Sequence, residues 1–396
     1  MAGLFLANGA LFAGVVPRYP EIKARLGLSN TAFGSAVAGY GLGALALGLV
    51  AGLLVARWGS ARVAWVTTVL VAANLVLVAA APAWWALAAA LVVAGCLDSL
   101  ADVAENVHAL RVERAYGRSI LVSLHGLWSV GAVVGGALGA AAAGLHVPVW
   151  LHLAGVGSVL AAGAAVLSRR LLPGGDAVAA GLSSRHGADA DGGEEPGARP
   201  WRSFGRALRR AARSLFALGL IASCGQLLED VGATWSPLYL RQDLQAGAAV
   251  AGLGFIALQG AQTLGRLLGD RVVMRFGDRA VARGGAGAAG TAMTVALVLG
   301  SVPATVVAFG VVGLGIGTLI PASLRAADAI PGMPPGVGLS LVGSVLRVSV
   351  LVGPVAVGLV ADATSLRTAL AVVPLVAVAA AVLARVLPTA RREPCR

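Results

Sequence analysis

Apolar runs of about 15 to 25 residues follow one another along almost the whole chain, each near the length an α-helix needs to cross a bilayer. They fall at 1–16, 33–55, 63–81, 84–104, 119–144, 150–168, 215–235, 248–270, 285–300, 304–324, 338–361 and 368–384, twelve in all. Only 12% of the residues are charged, where a soluble domain carries about 25%. Such a chain cannot cover its surface with ions, so its solvent is lipid. Backbone polar groups in lipid must be satisfied within the segment, so the runs predict helices and an all-α integral membrane fold.

The basic residues orient these spans. Of 30 only Lys23 is a lysine, and the net charge of +12 invites a nucleic-acid reading. Their distribution excludes it. With a cytoplasmic N-terminus, 23 of the 30 fall in inner loops, five (Arg18, Lys23, Arg25, Arg241, Arg367) in outer loops, and two (Arg266, Arg347) within spans. That is the positive-inside pattern of a multi-pass plasma-membrane protein with both termini cytoplasmic. Met1 opens directly on apolar residues without a basic region, unlike a cleavable signal peptide. Cys96, Cys224 and Cys395 form no spaced pair, so neither a disulfide framework nor a zinc site is indicated.

Residues 169–213 interrupt the pattern at its midpoint. The section SSRHGADADGGEEPGARP is small, polar and rich in Gly and Pro, the composition of a linker. Beyond it Trp201, Phe204, Leu208 and Leu215 recur at helical spacing among arginines. This fits a basic amphipathic helix on the inner membrane surface or an upstream extension of the seventh span. The predicted organisation is an N-terminal six-helix bundle over 1–168, a linker over 169–213, a C-terminal six-helix bundle over 214–386 and a cytoplasmic tail over 387–396.

The two halves also match in sequence. LVARWGSARV (54–63) and VVMRFGDRAV (272–281) align Arg57 with Arg275, Gly59 with Gly277 and Val63 with Val281, an offset of 218 residues. The same offset pairs Gly34 with Gly252 and Gly135 with Gly353. Several matches at one offset, with six spans on each side, indicate an internal duplication of the parallel kind.

Six plus six spans, a long central loop and a Gly/Arg loop between spans two and three resemble the major facilitator superfamily along nearly the whole chain. Gly52, Arg57, Gly59 and Arg62 are similar to the superfamily's G-x-x-x-D-R-x-G-x-x-R gating loop, with Ala56 in place of its Asp. The second copy keeps Arg275 and Gly277, has Met274 at the Asp position, and carries Asp270 and Arg271 just upstream. PRYPEIKARLGLS (17–29), DVAENVHALRVERAYGR (102–118), SLHGLWSVGAVVGG (123–136) and LLEDVGATWSPLYL (227–240) are similar to a bacterial branch near fucose-permease-like carriers. The resemblance implies twelve transmembrane helices as two six-helix bundles around a central cavity, and a monomeric secondary transporter. It does not imply fucose.

In that superfamily the third, sixth, ninth and twelfth helices face lipid, and the corresponding spans here hold no Asp, Glu, Lys or Arg within their limits. The charges concentrate in spans four, seven, eight and eleven, where facing protein or water spares their desolvation cost. Asp98, Asp102 and Glu105 share one helix face with Asn106 beside them; Asp98 and Asp102 are candidate binders of a proton or a cationic group, and Glu105, close to water, a gate or cap. The alternative for Asp98 is an ion pair with Arg111 or Arg114. Gln226, Glu229 and Asp230 form the second cluster, with Glu229 the candidate for proton coupling and Arg347 its expected partner. Arg266 and Asp270, four apart, are expected to pair with each other. His125, Trp128 and Ser129 in span five are candidates for contacting a polar solute, with Asn8 and Tyr40 weaker ones. Gly131, Gly135 and Gly139 have the small-residue spacing that lets helices approach, and Gly353–Pro354 predicts a kink.

No cofactor, metal or enzymatic set is indicated. Asp98 and Asp102 lack the spacing and the second motif of a diphosphate-binding enzyme, and with one lysine at position 23 there is no phosphate-binding loop for a pump. The partners implied are a small-molecule substrate, protons and the lipid bilayer. A sensor with a transporter-like fold is the alternative reading.

Overall fold

The computed structural model describes residues 1–118, 120–172, 199–331 and 337–389. Most of the Gly/Pro-rich linker (173–198), Cys395 and the tail from 390 onward lie outside the described residues. The helices are α1 (Ala2–Gly14), α2 (Tyr19–Arg25), α3 (Asn30–Trp58), α4 (Ser60–Ala80), α5 (Trp84–Tyr116), α6 (Leu121–Gly144), α7 (Val149–Ser168), α8 (Arg199–Gln242), α9 (Ala248–Ala251), α10 (Leu253–Phe276), α11 (Asp278–Leu299), α12 (Val302–Ile316), α13 (Leu319–Asp328), α14 (Val337–Ala363), α15 (Leu366–Ala369) and α16 (Val372–Leu383). No strand occurs among the described residues.

Among the described residues, eleven helical segments are long and apolar enough to cross a membrane. The one remaining predicted span, the first in the chain, is α1 with 13 residues, roughly 20 Å of helix against a hydrocarbon core of about 30 Å. Apolar side chains lie bare on the helix surfaces, with Val122 75%, Leu53 71% and Val298 71% exposed. Such a surface is compatible with lipid and not with water.

Helix ends follow local chemistry. The Ser29 hydroxyl accepts from the Ala32 N–H at 3.1 Å and caps α3. Gly117, left-handed at φ 68°, ends α5. Until that glycine nothing stops α5, so it runs 12 residues beyond the limit of its apolar run and carries Glu105, Asn106 and His108 as helical residues. Between Arg199 and Gln242 the helix is unbroken, so the stretch from 201 to 215 extends the seventh span. Pro354 is contained within α14, whereas span ten is interrupted at Gly317–Thr318, between α12 and α13.

The chain divides into two compact units, Met1–Glu194 with Gly247–Gly252, and Glu195–Ala246 with Leu253–Arg396. In the first, α3 packs on α5, α1 on α6, and α4 on α5 and α7. In the second, α10 packs on α12, α8 on α14, and α11 on α12 and α16. These are the same pairings displaced by one repeat. A Cβ on Gly95 would collide with the carbonyl oxygen of Tyr40, and one on Gly313 with that of Leu258, and both residues of each pair are related by the offset of 218. Gly131, Gly135 and Gly139 similarly admit the backbone of α1 against α6.

Candidate functional site

Each unit holds one cluster of acids and amides. In the first, α5 presents Asp98, Asp102, Glu105 and Asn106 on one face. The backbone contact at Gly95 brings α3 so close that the Tyr40 hydroxyl reaches the Asp98 carboxyl as a hydrogen-bond partner. Neither Arg111 nor Arg114 pairs with Asp98: Arg111 donates to the Ser60 hydroxyl at 3.4 Å and Arg114 to the Leu110 carbonyl at 3.2 Å. Asp102 accepts from Asn106 Nδ2 at 2.9 Å, and Asn106 Oδ1 lies 3.0 Å from His125 Nε2. With the Asn106 amide so oriented, His125 Nε2 is the donor, a tautomer assigned from the network.

Glu105 departs from expectation. It is 1% exposed, its carboxyl hydrogen-bonds Asn8 from α1, and its Oε1 has no partner. It does not lie close to water as expected, because α5 continues past it and α1 covers it. Aromatic rings complete the face: Phe5 stands edge-on to His125 at 5.3 Å, and Phe12 lies 5.9 Å from Tyr40 and 5.8 Å from Trp128. Ser129 turns back to the His125 carbonyl at 3.2 Å, so of the predicted trio only His125 and Trp128 join the cluster. Phe5 and Phe12 stand at helical spacing with the candidate Asn8 on one face of α1, a signal hidden by the uniformly apolar run around it.

In the second unit the acids stand on α8 and their partners on α10. Gln262 Nε2 donates to Glu229 Oε2 at 2.6 Å, and Arg266 Nη2 approaches the same oxygen at 3.4 Å. Gln226 Nε2 donates to Asp230 Oδ1 at 2.9 Å. Two expected pairs are thereby corrected. Arg347 on α14 is exposed and makes no hydrogen bond or ion pair among the described residues, because Arg266 takes Glu229. Arg266 does not pair with Asp270: an arginine four residues before an acid has the weaker helical orientation, and the carboxylate across the interface is already held by Gln262.

Gln259 and Gln262 are 2% and 1% exposed. Their Nε2 and Oε1 respectively, with Asp230 Oδ2, are buried without a partner. Leaving such atoms unpaired costs about 1–3 kcal/mol each, so the face is built to meet further polar groups. Gln259, Gln262 and Arg266 follow one another at intervals of three and four; of this stripe the sequence pointed to Arg266 alone, because two glutamines in an apolar run carry no distinguishing mark until the helices pack.

The loops after α3 and α10 share one backbone shape. Gly59 (φ 83°, ψ 135°) and Gly277 (φ 82°, ψ 154°) precede the next helix in a conformation closed to side-chain-bearing residues. The residue after each glycine is the anchor: Ser60 lies 3.0 Å from buried His108 Nδ1, and Asp278 pairs with Arg325 at 2.9 Å. Among the remaining loop residues, Gly52 is open, Arg57, Arg62, Asp270 and Arg271 are exposed without a bond among the described residues, and Arg275 lies 5.4 Å from the centre of the Phe276 ring. Cys96 and Cys224 are free thiols.

The chain is 29% identical to an uncharacterized MFS-type transporter of Yersinia pestis, covering 96% of this chain and 93% of that one. It is 30% identical to the uncharacterized transporter y4wD of Sinorhizobium fredii, covering 98% and 97%. The fold matches the solved structure of the nucleoside transporter NupG (13% identity, 96% of both chains, TM-score 0.71) and that of a D-xylose–proton symporter (16%, 100% and 97%, TM-score 0.71). A bacterial homolog of the human lysosomal transporter Spinster, inward-facing and occupied, matches with TM-score 0.75 at 14% identity over 97% and 94% of the two chains. The sequence matches the family model of the Major Facilitator Superfamily over residues 1–271 and 220–394, and with an all-helical membrane architecture and a related transporter at 30% identity, the chain belongs to that superfamily of membrane transporters.

Proposed function

We propose that the protein is a secondary active transporter that carries a small polar molecule across the plasma membrane by alternating access, coupled to protons. One observation carries this reading: each repeat holds a cluster of carboxylates and amides on helices long and apolar enough to cross a membrane, with buried hydrogen-bonding atoms left open. Ionisable residues in a membrane segment are too costly to keep without a task. Asp98, backed by Tyr40, takes a hydroxyl or cationic group of the substrate, while Asn106 and His125 add polar contacts and Trp128 an apolar wall. In the second repeat Gln226 and Gln262 hold the acids of their own unit. Glu229, whose partner Arg266 offers a charge to exchange when the acid takes up a proton, is the coupling residue, with Asp230 beside it.

The names of two structural neighbours, a nucleoside transporter and a D-xylose–proton symporter, lend support to a polar solute and to protons. The arginine distribution supports cytoplasmic termini. The working unit is a monomer with six-helix bundles over 1–168 and 214–386. Purified protein in proteoliposomes tests the reading. A panel of polar metabolites is offered under an imposed proton gradient, with entry measured against protein-free vesicles. Accumulation that collapses with a protonophore supports coupled transport; no entry of any solute, with binding retained, replaces it with a sensor.

A further inference from the structure

Helices α11 and α16 leave between them a groove of about 410 Å³ on the surface of the second unit, lined by Arg283, Gly287, Gly290, Thr294, Val378 and their neighbours. Its rim is apolar and bare: Val378 is 62%, Val295 50% and Val382 46% exposed. Thr294 spends its hydroxyl on the Gly290 carbonyl at 2.8 Å. A Cβ on Gly287 would meet nothing within 4 Å, so the floor there is open.

One end of this groove is cationic. Arg283 lies five residues into α11, roughly 7.5 Å along the axis. It is exposed and makes no hydrogen bond or ion pair among the described residues. Arg279, one turn earlier, is committed elsewhere: its Nε donates to the Leu387 carbonyl at 2.9 Å and its N–H to the Pro388 carbonyl at 3.2 Å. Two larger grooves of the same unit, about 540 Å³ beside α10 and α12 and about 600 Å³ beside α8 and α14, have no charged lining residue. The repeat also lacks this cation, since the offset of 218 places Trp65 at the equivalent of Arg283.

We propose that this groove binds an anionic phospholipid, its phosphate held by Arg283 and one acyl chain lying over Gly287 and Gly290. An arginine fork suits a phosphate, an apolar channel beneath it suits a chain, and basic recesses between membrane helices are favourable sites for anionic headgroups. The site stands independently of what the protein transports.

Native mass spectrometry of the full chain in detergent, titrated with dioleoylphosphatidylglycerol or dioleoylphosphatidylcholine, tests it. The wild type retains phosphatidylglycerol in preference, and Arg283→Gln reduces that preference about fivefold, the effect expected of one cation facing an anionic headgroup. Gly287→Leu weakens retention of both lipids by filling the channel, while Ala356→Leu in the 600 Å³ groove leaves the preference unchanged. A preference that survives Arg283→Gln in a folded protein overturns the proposal. So does competition by inorganic phosphate at the same concentration as the lipid, which would make the site one for a free anion.

Discussion

The two repeats share a backbone and divide the polar chemistry between different helices. In the first, the acids stand on α5 and are met by Tyr40 from α3 and Asn8 from α1. The offset of 218 places Ile316, Ile320 and Ser323 where Asp98, Asp102 and Glu105 stand, so the matching face of the second repeat is nearly apolar. In the second, the acids stand on α8, and their equivalents on α1 are Leu11 and Phe12. Asn8 and Gln226 are the exception, amides at equivalent positions that each hold an acid of their own repeat. Glycines at backbone contacts could not diverge without destroying the packing, whereas side chains facing the cluster could. Duplication thus fixed the scaffold while each half acquired its own polar face.

That account makes the shared glycines the most damaging targets. Gly95→Val and Gly313→Val each drive a branched side chain into a carbonyl on the facing helix, and overpacking of this kind costs about 1–3 kcal/mol or more. Both variants should lose monodisperse folded protein on size-exclusion chromatography, to a similar extent. A normal elution profile for either would mean that the two helix pairs do not depend on the same contact.

At the acids the halves should separate. Asp98→Asn keeps the shape and Tyr40 contact but removes the charge, and should abolish most substrate entry while leaving the fold intact. Glu229→Gln should lose accumulation driven by the proton gradient yet retain exchange of substrate between equal pools. If the two substitutions give the same kinetic defect, the assignment of binding to one repeat and coupling to the other fails.

A smaller effect is expected at the partners. Tyr40→Phe removes a hydrogen bond to a charged group, which is worth about 1.5–3 kcal/mol, and should weaken substrate affinity more than it lowers maximal flux. Gln262→Leu removes the tightest contact of Glu229 and should shift the pH dependence of uptake without a comparable change in affinity. Affinity and pH profiles measured on both variants decide this; an exchange of the two outcomes would reverse the roles of the halves.

Most of the architecture was legible because lipid leaves helices few alternatives: span positions, the repeat and the Gly59 and Gly277 turns follow from apolar run length, offset and glycine placement. The pairings were less legible. Glu229 looked toward Arg347 because Arg347 is the basic residue in its own span, but which faces meet depends on helix rotation, and rotation is set by contacts such as Gly313 on Leu258. Glu105 looked wet because its run of apolar residues ends there, though the helix does not. Gln259 and Gln262 stand beside no acid in the sequence, unlike Gln226 and Asn106, and their burial became visible only once α8 and α10 were packed.

The ties made by Arg25 and its equivalent provide the finest test of divergence. Arg25 donates to the carbonyls of Ala79 and Ala81, tying α2 to the end of α4. Its equivalent in the second repeat is an acid, Asp243, which accepts the Arg367 N–H at 3.2 Å, while the Arg367 guanidinium donates to the Leu297 and Val298 carbonyls at 2.8 and 3.1 Å. One repeat ties its third helix directly and the other through an intermediary. Burial raises the Asp243 carboxyl above its ordinary value of 3.8, with the Arg367 N–H pulling the other way. The folded state therefore holds this proton more tightly than the unfolded chain, so stability declines as pH rises from the ordinary value through the raised one and is level above it. Asp243→Asn removes that decline while its amide oxygen still accepts from Arg367. Apparent melting temperatures at a fixed scan rate, taken at steps upward from pH 4, should then fall less for Asp243→Asn than for the wild type. Arg25→Ala should lower the melting temperature by the same amount throughout, since an arginine stays charged across this range. Parallel curves for Asp243→Asn and the wild type would show that the acid is as well solvated folded as unfolded, and that the second tie owes nothing to its protonation.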